Sequence, residues 1–197
     1  MKKIIVTGGS GFIGTNLIEY IKNDYEVINY DTQPPKISEH MKYWMKLDVT
    51  DLKELSRASL SFEPNFIIHL AARTDLDSNN LNDYKSNIIG TENILQVSKM
   101  CSTLLKVIFT SSKFVNPNGY DVSNQFDMNP HTAYGESKKI GEEYIWKNFP
   151  NCDWCIIRPT SIWGPYFQEP YRNFFDYIIK GYYFHIGNIR CYKTYGY

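Results

Sequence analysis

At 197 residues, with 21 basic and 21 acidic side chains, the chain has the length of one domain able to bury a core, and it carries neither a basic field for nucleic acid nor an acidic tail. No apolar run approaches membrane-spanning length, and the run that follows Met1-Lys2-Lys3 ends at Thr7, too soon for the core of a secretion signal. Composition thus excludes nucleic-acid and membrane partners and points to a cytoplasmic protein with a small-molecule ligand.

The first element is a strand, Lys3 to Val6, which breaks into Thr7-Gly8-Gly9-Ser10-Gly11-Phe12-Ile13-Gly14 and then a helix over Gly11 to Asn23. Gly8 and Gly11 let bare backbone approach a pyrophosphate, and Gly14 lets the helix pack tightly on the strand. The N–H groups at the helix start, around Phe12 and Ile13, then face the anion. The next strand, Glu26 to Tyr30, closes on Asp31, whose carboxylate accepts both hydroxyls of an adenosine ribose and repels a 2′-phosphate. The cofactor expected is NAD rather than NADP.

A short strand-like segment, Trp44 to Leu47, precedes Asp48 and a helix over Asp51 to Phe62 with Asp51 as its N-cap. Asp48 reads either as an acceptor for an exocyclic amine or as a cap. The strand Asn65 to His69 runs into Leu70-Ala71-Ala72, small residues that leave room for a cofactor ring. His69 itself reads as a satisfied core histidine. A helix over Leu81 to Met100 contains Asn87, a poor helix former that suggests a polar contact. The strand Lys106 to Thr110 ends in Ser111-Ser112, where ligands gather in a parallel sheet, although a serine there also serves to cap backbone groups. The helix Ala133 to Asn148 carries Tyr134 and Lys138 on one face, and the strand Trp154 to Arg158 runs into Pro159. Alternating strands and helices predict an α/β fold, a doubly wound parallel sheet with helices on both faces.

Tyr134 and Lys138 are the candidates for proton chemistry. A free phenol is ionised in only about one molecule in a thousand at neutral pH, and an ammonium a few ångströms away favours the phenolate. Lowering the phenol by about three units needs roughly 4 kcal/mol of differential stabilisation. A tyrosine so tuned takes the proton of a sugar hydroxyl, with Ser112 sharing it. Cysteines 101, 152, 155 and 191 form no disulfide framework. Cys152 and Cys155 lack further ligands at zinc spacing, so no metal is expected, and Cys155 reads as core packing within its strand.

Taken together, the glycine turn, Asp31, Leu47-Asp48-Val49-Thr50-Asp51, His69-Leu70-Ala71-Ala72, Asn87-Ile88-Ile89-Gly90-Thr91, Ser111-Ser112, Tyr134 with Lys138, and Arg158-Pro159 resemble an extended short-chain dehydrogenase/reductase of the NAD-dependent epimerase/dehydratase family. That resemblance implies a Rossmann-type fold and a nucleotide-sugar substrate. Ser112, Tyr134 and Lys138 fall at the catalytic positions. The cofactor-binding set it implies is Gly8, Gly11, Phe12, Ile13, Gly14, Asp31, Asp48, Val49, Leu70, Ala71, Ala72, Asn87, Tyr134, Lys138 and Pro159. Asp48 and Val49 meet the adenine in this reading, Ala71 and Ala72 line the nicotinamide, and Asn87 supports active-site hydrogen bonds. Homodimers through the two long helices are also implied, with Ile140, Tyr144 and Ile145 as contributors or as residues facing the sheet.

The chain departs from the family in three places. Dehydratases carry an acidic pair after the catalytic hydroxyl residue, where this chain has Lys113 and Phe114, so an epimerase or a keto-sugar reductase is expected. Asn116 and Pro117 replace a usual tyrosine and glycine, and Lys193-Thr194 stand where an arginine-aspartate pair is usual. Relatives continue past Tyr197, so residues 1–165 are expected to form the NAD-binding domain and 166–197 to begin an incomplete substrate-binding region. The twelve aromatics from Tyr166 to Tyr197 read as the core of a second layer in preference to a stacking surface for a base or sugar. The alternative class is a non-catalytic NAD-binding regulator or scaffold.

Overall fold

The computed structural model describes residues 1–167, 171–182 and 195–196. Six parallel strands, β1 (Lys3–Thr7), β2 (Glu26–Asp31), β3 (Trp44–Lys46), β4 (Phe66–His69), β5 (Lys106–Thr110) and β6 (Asp153–Ile157), stand in the order β3-β2-β1-β4-β5-β6. Four helices connect them: α1 (Phe12–Ile21), α2 (Leu52–Phe62), α3 (Lys85–Met100) and α4 (Ala133–Asn148). Strand order reverses between β1 and β4, which opens a crevice at the carboxyl ends of those strands.

The alternation of side chains along β1 divides the core in two. Ile5 joins Tyr30, Leu55, Ile67, Ile94, Val107, Phe109 and Ile145 on one face, while Ile4 and Val6 join Ile18, Ile21 and Val27 under α1. Each such aliphatic burial contributes roughly 1.5–3 kcal/mol. Helix starts follow local chemistry. Asp51 caps α2 by accepting from Glu54 N at 3.0 Å, as expected, and Thr132 caps α4 by accepting from Gly135 N at 3.0 Å. The helix expected over Leu81 to Met100 is 3-10 in its first turn, Leu81–Tyr84, because Asn80 accepts from Asn82 N and the Tyr84 hydroxyl ties the turn to the carbonyls of Asp75 and Ser78.

One packing expectation needs correction, and one left open is decided. Cys155 is only half-buried, since β6 is the outer strand of the sheet among the described residues. Ile145 is buried in the core and Tyr144 packs against it, so these two face inward and not toward a partner helix. Cys101, Cys152 and Cys155 are free thiols. Beyond the sheet, β7 (Ser161–Ile162) pairs in parallel with β8 (Tyr195–Gly196), and α5 (Tyr171–Ile179) lies between them in sequence. Trp163, Phe167 and Phe174 each contact the Phe175 ring. Cys191 and Lys193-Thr194 lie outside the described residues. No helix among the described residues is long and apolar enough to cross a membrane.

Candidate functional site

The glycine turn leaves β1 and enters α1 beside the end of β4. Gly8 has φ +70°, and a Cβ there would stand 2.6 Å from Ala71 N, so only glycine admits the close approach of these two strand ends. A Cβ on Gly14 would run into the Gly9 Cα and the Gly8 carbonyl. The α1 N-cap is Gly11, which brings no side chain, and the first turn carries no acid. The first intrahelical bond is Thr15 N to Gly11 O, so the amides of Phe12, Ile13 and Gly14 precede any helical acceptor. Such a helix start favours an anion. Asp31, at the end of β2, accepts from Ser10 N at 3.0 Å and Gln33 N at 2.9 Å, which holds its carboxylate beside the turn. Uncapped amides, a cradle that Cβ atoms would fill and an acid at the second strand end all fit a dinucleotide.

Other expected cofactor residues are placed less uniformly. Asp48 is exposed and accepts from Thr50 N and Oγ1 at 2.8 Å, so one carboxylate oxygen is held in a local turn. Val49 is buried, with its side chain against Gly90 and its carbonyl taken by Asn93. Leu70 and Ala71 are held to β1 through Thr7, and Ala72 continues this segment, half-buried. The Phe12 ring meets Phe167 at 5.5 Å, which brings the segment after Pro165 onto the start of α1, where Asn16 also donates to Pro165 O at 2.8 Å.

Across the crevice, Ser112 and Tyr134 come together. The Ser112 side chain stands near enough to the phenol to act on its charge, and its hydroxyl accepts from Phe114 N at 3.2 Å. Burial pushes the Tyr134 phenol up, and Ser112 pulls in the opposite direction. The expected lowering by Lys138 is not observed, because the ammonium donates to Thr110 O at 2.9 Å and lies 6.0 Å from the ring centroid of Tyr134. Burial carries Lys138 itself down to about 8 from 10.5, opposed by Glu142. Asn87 is 1% exposed and links two elements, accepting from Arg73 N while donating to Arg73 O and Ser137 Oγ. Pro159 O accepts from Lys113 N, tying the Ser112 turn to the end of β6.

His69 is the core histidine expected. Its Nδ1 meets Thr7 Oγ1 at 2.7 Å, and burial lowers it to about 3, so it stays neutral. Sequence reasoning missed Thr110, Ser137, Glu142 and the Arg158 side chain. Glu142 was within reach of it, four residues after Lys138 on the same face of α4. The bond to Thr110 is made by a main-chain carbonyl, which no residue type signals. Arg73 pairs with Asp75 at 2.8 Å and lies over the Tyr84 ring, so the segment after Ala72 is braced internally.

Strand order and glycine cradle together define a dinucleotide-binding α/β protein. The chain belongs to the NAD dependent epimerase/dehydratase family, whose profile it matches over residues 4–184. It is 32% identical over 173 residues to a putative UDP-glucose 4-epimerase of Methanocaldococcus jannaschii, a match covering 82% of this chain and 56% of the relative. It is 27% identical to a 3-beta-hydroxysteroid dehydrogenase of Mycolicibacterium neoaurum, covering 91% and 52% respectively. Thus the chain spans about half the length of these curated relatives. Among solved structures, the UDP-glucose 4-epimerase of Thermotoga maritima with UDP-glucose aligns with a TM-score of 0.76 at 23% identity, over 91% of this chain and 63% of that one. The Thermus thermophilus UDP-glucose 4-epimerase complex with NAD gives 0.75 at 23% identity, with the same coverage. At that identity the likeness establishes the fold, in agreement with the doubly wound sheet expected. NAD, the cofactor anticipated from Asp31, is the one the family is defined by.

Proposed function

We propose that the chain is the NAD-binding part, residues 1–165, and the beginning of the substrate-binding region, residues 166–197, of an enzyme that acts on a nucleotide-activated sugar by epimerisation or by keto-sugar reduction. The observation that supports this reading is the burial of Ser112 and Tyr134 beside one another, with buried Lys138 one turn further along α4, on the far side of the crevice from the glycine turn. NAD, when bound, supplies the two-electron acceptor for a sugar carbinol carbon. Gly8, Gly11 and the amides of Phe12, Ile13 and Gly14 hold its pyrophosphate, and Asp31 its adenosine ribose. Asp48, Val49, Leu70, Ala71, Ala72, Asn87 and Pro159 complete the surround.

In this reading Tyr134 holds or moves the proton of the substrate hydroxyl, Ser112 shares it, and Lys138 would hold the nicotinamide ribose. Water elimination needs a general acid and a general base, and the acidic pair that the family's dehydratases carry after the hydroxyl residue is replaced here: the Lys113 ammonium is bonded to Asn118, and the Phe114 ring faces His131 and Tyr134. That favours epimerase or reductase chemistry over dehydration. A homodimer through α3 and α4, which pack side by side, belongs to the same proposal, as does a cytoplasmic location.

The test begins with calorimetric titration of the chain with NAD and NADP. NAD is expected to bind more tightly, and Asp31→Ala to lose about tenfold in NAD affinity, as for a charge-assisted hydrogen bond. Equal binding of both cofactors by the unaltered chain would refute the assignment of Asp31. A panel of nucleotide sugars then separates the reactions, since an epimerase yields the epimer with no net change in NAD whereas a reductase consumes NADH.

A further inference from the structure

We propose that Glu142, clamped by Arg158, is a positioning residue that sets the charge of Lys138 across a small cavity that both residues border, and that this cavity is a binding site for one water molecule. The proposal depends on the reading of Lys138 given above only for its consequence in catalysis.

Glu142 follows Lys138 by one turn of α4 and is 2% exposed. Arg158, just beyond β6, grips it with both arms of the guanidinium, Nε to one carboxylate oxygen at 2.9 Å and Nη2 to the other at 2.7 Å. Nη2 also donates to Gln125 O at 2.7 Å, which fixes the arginine in turn. A bidentate pair of this kind holds a carboxylate in one orientation. The described hydrogen bond of Lys138 goes elsewhere, to Thr110 O, which leaves two of the three ammonium donors for other acceptors.

Lys138 and Glu142 both border a cavity of about 10 Å³, whose lining also includes Thr110, Ser111 and the apolar Phe109 and Ile145. Among the residues that border it, Thr110 and Ser111 have buried hydroxyls without a hydrogen-bond partner. Buried hydroxyls rarely stay unpaired, and a cavity of this size matches a single water with two to four polar partners. Two hydroxyls, an ammonium and a carboxylate supply that number.

The groups facing Lys138 fix the sign of the coupling. On α4 these are Tyr134 and Glu142, from β4 His69, and from the turn before α3 Tyr84, which meets the Tyr134 ring, while Arg158 from beyond β6 acts through its pair with Glu142. His69 is neutral, so Glu142 is the anion of this set and Arg158 the cation that offsets it. Burial disfavours the ammonium and Glu142 restores it.

The experiment is a pH titration of the chain carrying lysine labelled with ¹³C at Cε, with the Lys138 signal assigned by its loss in Lys138→Arg. Glu142→Gln is expected to lower the Lys138 midpoint by about one unit, because the anion goes and Arg158 remains. Arg158→Gln is expected to raise it, because Glu142 is released toward the ammonium. General loosening of the fold moves both midpoints toward the exposed value of about 10.4, so a fall in the first variant separates coupling from damage. Two unmoved midpoints, or two that move the same way, overturn the proposal. Should Glu142→Gln fail to show a cooperative unfolding transition, Arg158→Gln decides alone: a raised midpoint in a chain that keeps wild-type thermal unfolding supports the proposal, and anything else overturns it. Tyr134→Phe with undiminished turnover would sink the acid/base reading and leave this titration intact, so the two failures are distinguishable.

Discussion

The two halves of the sheet meet their ligand in different ways. On the β1–β3 side the cradle is built from main-chain amides, glycines that admit no Cβ, and Asp31 held by two backbone N–H groups. On the β4–β6 side it is built from buried side chains whose charge is set by burial and by a few partners: Tyr134 with Ser112, and Lys138 with Glu142 and Thr110. The first half therefore fails by steric insertion, which costs fold and binding together. The second fails by removal of one functional atom, which costs chemistry at little cost to the fold. This contrast sets the scale of what each substitution does.

The largest effect is expected at Tyr134. In the complete enzyme, Tyr134→Phe should lower turnover at least about a hundredfold, the usual contribution of a general acid/base, while changing stability by less than about 1 kcal/mol. Steady-state kinetics beside urea unfolding measures both, and unchanged turnover would remove Tyr134 from the chemistry. Acid tests the same half next. The folded state holds His69 near 3 against 6.5 when unfolded, so its contribution is whole above pH 6.5 and is lost as pH falls from there toward 3, where the unfolded chain takes a proton that the folded chain refuses. The loss is on the order of a few kcal/mol. His69→Gln should flatten that part of the stability profile, and parallel profiles would contradict it.

On the cradle side, Gly14→Ala places a methyl against main-chain atoms of Gly8 and Gly9, which cannot step aside as a flexible side chain does. A loss of about 1–3 kcal/mol, by analogy with overpacking, should accompany loss of NAD binding. Calorimetry showing normal NAD binding in this variant would erase the contrast between the halves. The smallest change lies away from both. Asp51→Ala removes the α2 cap and should cost about 1 kcal/mol with NAD affinity unaltered.

Much of this arrangement was legible in the residues. Glycine spacing, apolar runs and caps act over a few residues, so β1, α1, the Asp51 cap and the bounds of α4 could be read locally. Ser112, Tyr134 and Lys138 could be singled out as candidates for a different reason, since each lies at an element end or on one helix face. The 3-10 turn before α3 was not legible, because its cause is a tyrosine reaching back to Asp75 and Ser78. Nor was the half-exposed Cys155, because strand periodicity does not tell an outer strand from an inner one.

By itself, then, the order of residues determined the alternating α/β elements, the glycine turn, the acid beside it and the candidate side chains for proton transfer, all through interactions spanning at most a few turns of chain. Only the tertiary structure decided their state. Burial, and not Lys138, governs the Tyr134 phenol; Lys138 is tied to a carbonyl 28 residues away, and its counter-charge Glu142 is oriented by an arginine 16 residues further on. The physical reason is that desolvation and hydrogen-bond geometry depend on what folding brings alongside a group, a quantity that sequence neighbours do not carry.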